Sequence, residues 1–296
     1  MHLSPTWPHA WLLIASLLAG ALNAMAGGGS FLSFPAVLGT GILPIQANAT
    51  NTVALWPGQF ASIAAYWEDL KHNLRLIVPL GTAALVGGLA GGVVLLHTGQ
   101  TTFLAMVPWL LLVAALLFAV STPISKWLQR RAGERASARL ASGSSAADAH
   151  PSVAPLVLGM VLVCFYIGYF GAGAGFLVMS VLAIFGVEEI NQINALKVVT
   201  TCLANGIAVV TFIVEKQVAW RYCLLMMITA AIGGYFGGHY ARRVDARVMR
   251  GVVVAIGLGM AGYFFWGSKP GGRVRRACSM VPSLTFGKST YFAVTQ

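Results

Sequence analysis

The sequence predicts an all-α polytopic membrane protein. It reads as two inverted repeats, about 8–10 transmembrane segments in all, with broken or re-entrant helices at glycine-rich turns. Three observations carry that prediction. The 296-residue chain is 57% hydrophobic and only 9% charged, with a mean hydropathy of +0.77, well outside the soluble norm. Its charges are segregated: no Asp, Glu, Lys or Arg occurs in residues 1–67, 76–125, 151–187, 198–214, 222–241 or 251–268. A soluble chain would scatter Lys and Glu along every outward helix face, and here those faces are missing. Finally, the text repeats itself about 146 residues on, RLIVPLGTAALVGGLAGG from Arg75 answering RYCLLMMITAAIGGYFGG from Arg221. Asn48-Ala49 and Asn194-Ala195 keep the same offset, and AGGGSFL at 26–32 answers AGAGFL at 172–177 after a one-residue slip.

Five apolar segments fall in each half. The first half (9–121) gives 9–26, 30–43, 47–66, 75–97 and 102–121. The second half (153–267) gives 153–171, 175–187, 195–214, 221–240 and 249–267. Segments 30–43 and 175–187 are too short to cross a bilayer comfortably. Each follows a glycine cluster, so each reads as a broken or re-entrant helix. Residues 122–152, rich in Ala, Ser and Arg, read as a flexible cytoplasmic linker, and 268–296 as a poorly ordered polar tail. Pro57 and Pro79 interrupt first-half segments where the second half has Leu203 and Leu225; ordinary kinks are the expected result. The stretch ALNAMAG resembles a signal-peptidase site. It lacks a basic n-region and lies inside the first repeat, which argues against cleavage.

The net charge of +11 does not indicate nucleic-acid binding, because the basic residues sit in joints between apolar segments. Lys126, Arg130, Arg131, Arg135 and Arg139 fill one joint, and Arg242, Arg243, Arg247 and Arg250 another. Both read as cytoplasmic. The uncharged joint at 98–101 then falls outside while its repeat partner at 242–250 falls inside, as inversion requires. The same count leaves the basic tail outside, against the charge rule. Cys164, Cys202, Cys223 and Cys278 have no metal-ligand or disulfide spacing, so neither a metal nor a cofactor is expected. No P-loop is present, and no Asp or Glu lies deep in a segment to relay protons.

Candidate binding residues cluster at the glycine turns and on the helix after each. Gly28, Gly29 and Ser30 in one half, and Gly173 and Gly175 in the other, would leave helix-initial N–H groups that favour anions. Asn48, Asn51 and Gln59 share one helical face. Asn194, Lys197, Thr201 and Asn205 share another, and the repeat superposes Asn51 on Lys197 and Gln59 on Asn205. Polar stripes of this kind either line an aqueous path or bond helices together. Lys197 is the only formal charge well inside an apolar stretch. It either snorkels beside Glu188 and Glu189 or faces the glycine turns as an anion-binding cation. Gly87, Gly88, Gly91 and Gly92, and Gly233, Gly234, Gly237 and Gly238, read instead as close helix packing.

The paired segments AGGGSFLSFPAV and GAGAGFLVMSVL, followed by QANATN and INALK, resemble the sulfite exporter TauE/SafE family of bacterial permeases over about residues 10–121 and 153–266. The resemblance implies a multi-pass inner-membrane transporter of small sulfur-containing or organic anions such as sulfite or sulfonates. The duplication itself points to a binding site near the midplane, between the repeats. A passive anion channel shares every one of these residues. An intramembrane serine protease, raised by Ser30 and His239, fits poorly because Phe31 follows the serine and Gly175 stands at its repeat position. No catalytic residue is therefore assigned. The partners expected are a small anion and the lipid bilayer, with homo-oligomerisation left open.

Overall fold

The computed structural model describes residues 7–25, 28–65, 70–71, 74–116, 119, 153–185, 187, 189–240 and 246–267. The expected linker at 122–152, the tail at 268–296 and the charges of both basic joints lie outside the residues and side chains described. Among the described residues every regular element is an α-helix. The first half runs α1 (Trp7–Met25), α2 (Ser30–Leu38), α3 (Pro44–Leu55), α4 (Pro57–Ala65), α5 (Leu74–His97) and α6 (Gln100–Leu116). The second runs α7 (Val153–Tyr169), α8 (Ala174–Ile184), α9 (Ile190–Val214), α10 (Trp220–Tyr240) and α11 (Ala246–Gly267).

Local chemistry explains the breaks. The short helix α2 ends at Leu38 because Gly39, Thr40 and Gly41 turn the chain and Leu43 is extended before Pro44. Pro44 then opens α3 at a position where a missing N–H costs nothing. Pro57 splits the next apolar segment in two, with Trp56 as the turn between α3 and α4. Its counterpart Leu203 breaks nothing, so α9 runs unbroken for 25 residues. At this proline the helix is interrupted only at Trp56, whose own backbone stays in the helical region at φ −60° and ψ −42°.

The halves are interleaved, not side by side. The first helix of each half packs on the penultimate helix of the other, α1 on α10 and α7 on α5. Of the glycines expected to serve packing, Gly87, Gly88, Gly91 and Gly233 meet a neighbouring helix backbone closely, and the surroundings of Gly237 and Gly238 lie outside the description. A Cβ built on Gly91 would lie 2.0 Å from the Phe165 carbonyl oxygen, and one on Gly233 would lie 1.8 Å from that of Leu17. Only bare backbone allows such approach. One apolar core gathers Phe31, Phe34, Phe103, Phe170 and Phe212 from both halves. Phe34 and Phe170 meet edge to face with centroids 5.5 Å apart. A second core holds Leu80, Leu156, Met160, Val178 and Leu196.

The outer surface is apolar as well. Val78 on α5 is 69% exposed and Leu162 on α7 is 66% exposed, alongside Leu85, Val86, Leu89, Val93 and Val94. Continuous apolar faces of that extent require a lipid environment or a partner. Leu74–His97 and Gln192–Val214 are long and apolar enough to cross a bilayer. Shorter apolar helices accompany them.

Candidate functional site

The two glycine turns lie next to each other, and their polar surroundings differ. In the first half, Gly28 adopts φ +92°, a left-handed conformation that glycine allows. The Gly29 amide donates to Asn23 Oδ1 at 3.0 Å, so this N–H is already bonded. Ser30 opens α2 and is partly buried. One turn later the Ser33 hydroxyl donates to Asn51 Oδ1 at 2.5 Å. Asn48 Nδ2 donates to the Tyr169 carbonyl at 3.1 Å, tying the first half to the residue just before the second turn. Asn48 and Asn51 are each 2% exposed. Their amides hold the bundle together, and removing one member of such a buried pair leaves the other orphaned at about 1–3 kcal/mol.

In the second half, Gly171 and Gly173 adopt φ +75° and +70°, and Gly173 caps α8. The Tyr166 hydroxyl donates to the Ala172 carbonyl at 2.7 Å and holds this turn open-faced. The Ala174 and Gly175 amides, at the first turn of α8, have no acceptor within their own helix. Directly opposite lies Lys197, whose Cδ is 3.6 Å from a Cβ built on Gly175. Its Nζ donates to Asn194 Oδ1 at 3.2 Å. Glu189 is exposed, and Glu188 lies outside the described residues. The stem of Lys197 passes Gly175, and its ammonium turns back one turn to Asn194. Thr201 spends its hydroxyl on the Lys197 carbonyl at 2.8 Å, a back-bond within α9. Asn205 Oδ1 is 3.7 Å from a Cβ built on Gly171.

Two of the contacts between the halves join repeat counterparts. Asn205 Nδ2 faces Gln59 Oε1 at 3.5 Å, and Trp56 Nε1 donates to the Cys202 carbonyl at 3.1 Å. Both pairs are separated by 146 residues, so each joins one repeat position to its own counterpart. Phe31, in the first turn of α2, has its Cζ 3.8 Å from a Cβ built on Gly173. The structure thus sets Lys197 and Asn194 beside Gly175, and Asn205 with Gln59 beside Gly171, about two turns further along α9. Gly28, Gly29, Ser30, Asn48 and Asn51 form the adjoining first-half wall.

Sequence reasoning missed Ser33, Trp56, Tyr166 and Tyr169. Ser33 had no signal, being one hydroxyl in an apolar run with Val178 at the slipped repeat position. Trp56 had one, since it precedes Pro57 at a position whose repeat partner is a small Cys202. As for the protease reading, no imidazole bonds to Ser30 among the described residues, and the His239 side chain lies outside them.

Comparison with known proteins agrees with this architecture. The model of the sulfite exporter TauE/SafE family matches residues 12–264. The chain belongs to that family. A probable membrane transporter protein, ORF9, from Sinorhizobium sp is 27% identical over 259 residues, 85% of this chain and 90% of the relative. A probable membrane transporter protein from Haemophilus influenzae is 23% identical, covering 82% of this chain and 89% of its own length. The Escherichia coli K12 protein YfcA, also named a probable membrane transporter, is 23% identical over 87% of this chain and 89% of its own. No solved structure matches. This TauE/SafE member is accordingly a helical membrane protein of a transporter family.

Proposed function

We propose that the chain is a secondary transporter, a permease or exporter, of small sulfur-containing or organic anions such as sulfite or sulfonates. The anion sits between two inverted repeats near the midplane of a bacterial inner membrane. The observation that carries this reading is Lys197 set against Gly175 at the amide end of α8. A cation, helix-initial N–H groups and the Asn194 amide lie there, and together they suit a compact oxyanion. The contacts of Trp56 with Cys202 and of Gln59 with Asn205 support the repeat arrangement, because equivalent residues touch each other only where a two-fold axis passes between the copies. We put the anion on the second-half side because the cation Lys197 is there, while Asn48 and Asn51 are each only 2% exposed.

The test is uptake by proteoliposomes containing the purified chain, screened with sulfite, a sulfonate and a carboxylate. Saturable uptake of at least one sulfur oxyanion is the expected result. Absence of flux for every anion would end the reading, and non-saturating current would make the protein a channel.

A further inference from the structure

We propose that Lys197 also carries the coupling proton, so that each anion crosses together with one H⁺. This rests on the anion site proposed above. Lys197 is partly buried, and among the described residues its Nζ has one hydrogen-bond partner, the neutral Asn194 Oδ1. No carboxylate pairs with it there.

The helices packed on α9 supply no counter-charge. Helices α3, α4 and α8 carry no titratable side chain. Helix α7 offers Cys164, Tyr166 and Tyr169, with the Tyr166 hydroxyl bonded to the Ala172 carbonyl and that of Tyr169 near Met106 and Thr98. Helix α5 has Arg75 and His97, one at each end. On α9 itself Cys202 faces the Trp56 contact, and Glu189 and Glu215 flank its termini in exposed positions.

An ammonium that none of the described carboxylates pairs with is expensive inside a bilayer protein. Two conditions remove that cost. Either an anion pairs with Lys197, or Lys197 gives up its proton and stays as a neutral amine that still donates to Asn194. The transport cycle then alternates between them. On one side the amine takes a proton from water and binds the anion, and the neutral pair crosses. On the other side the anion leaves, the proton returns to water, and the neutral empty site comes back. The repeat limits this to one proton per cycle, because the counterpart of Lys197 is Asn51, uncharged and bonded to Ser33.

The experiment uses the full chain in proteoliposomes with labelled methanesulfonate, an anion that stays ionised throughout the assay range. Any proton moved is then moved by the protein. Net uptake should carry about one proton per anion and should not change when the membrane potential is clamped. Lys197→Arg keeps a cation that does not lose its proton. Whatever anion flux this variant retains should be exchange rather than net uptake, with the ratio of net uptake to exchange at least about tenfold below that of the wild type. Wild-type uptake without proton movement, or net uptake by Lys197→Arg at the wild-type rate, overturns the proposal while leaving the anion site standing. No exchange of any sulfur oxyanion by the wild type would overturn both.

Discussion

Lys197→Ala is expected to lower anion uptake about 10- to 100-fold at subsaturating substrate, with the bundle still folded. The magnitude follows from the interaction removed. A charge-assisted hydrogen bond contributes about 1.5–3 kcal/mol, and each 1.4 kcal/mol is about tenfold in affinity. The fold should tolerate the change because the side chain bonds only to Asn194 on its own helix and lies over Gly175 without filling a core. Truncation even removes an uncompensated charge, so the unfolding temperature should hold or rise. Uptake and thermal unfolding measured on the same preparation separate the two effects. Normal uptake by this variant would remove Lys197 from the site.

Gly91→Leu is expected to abolish recovery of folded, monodisperse protein. A Cβ at this position would sit 2.0 Å from the Phe165 oxygen and 2.8 Å from the Tyr169 nitrogen, both backbone atoms of α7. Backbone cannot rotate away as a side chain can, so α5 and α7 would have to separate along the most extensive contact between the halves. Overpacking alone costs about 1–3 kcal/mol, and a leucine here exceeds a single added methyl several times over. Movement at this seam would also shift Tyr169, which receives Asn48, and so reach the glycine turn. Gly259→Leu is the matched control, because nothing lies within 4 Å of a Cβ built there. Size-exclusion profiles of the two variants in detergent make the comparison; equal recovery would show that the close α5–α7 contact is dispensable.

The sequence anticipated much of the helical layout because bilayer helices must satisfy their own backbone and exclude charge. Charge-free windows therefore marked the segments, and glycine clusters marked the turns before α2 and α8. Segment 47–66 was read as one helix, and Pro57 divides it. Proline chemistry permits either a kink or a break, and the outcome here accompanies the seating of Trp56 on Cys202 and Gly206.

The site was legible in part. Lys197 stood out because a lone charge in an apolar run has few explanations. Asn48 and Asn51 looked equivalent to Asn194 and Lys197, since a polar stripe reads the same whether it bonds helices or lines a path. What separates them is Ser33, reaching Asn51 from one turn inside α2, where the second half has Val178. That partner is 18 residues away in sequence and follows no period. Pairing across helices is set by packing, and no single-chain pattern encodes it.

An anion that occupies the first turn of α8 beside Lys197 should shield a cysteine placed there from alkylation. Gly175→Cys is sterically acceptable, since its nearest neighbour is the flexible Lys197 chain at 3.6 Å. With Cys278 replaced by serine, the native Cys164, Cys202 and Cys223 are buried and give little background. A transported sulfur oxyanion should slow labelling at position 175 at concentrations that saturate uptake. Labelling that proceeds at the same rate with and without a transported anion would contradict the account.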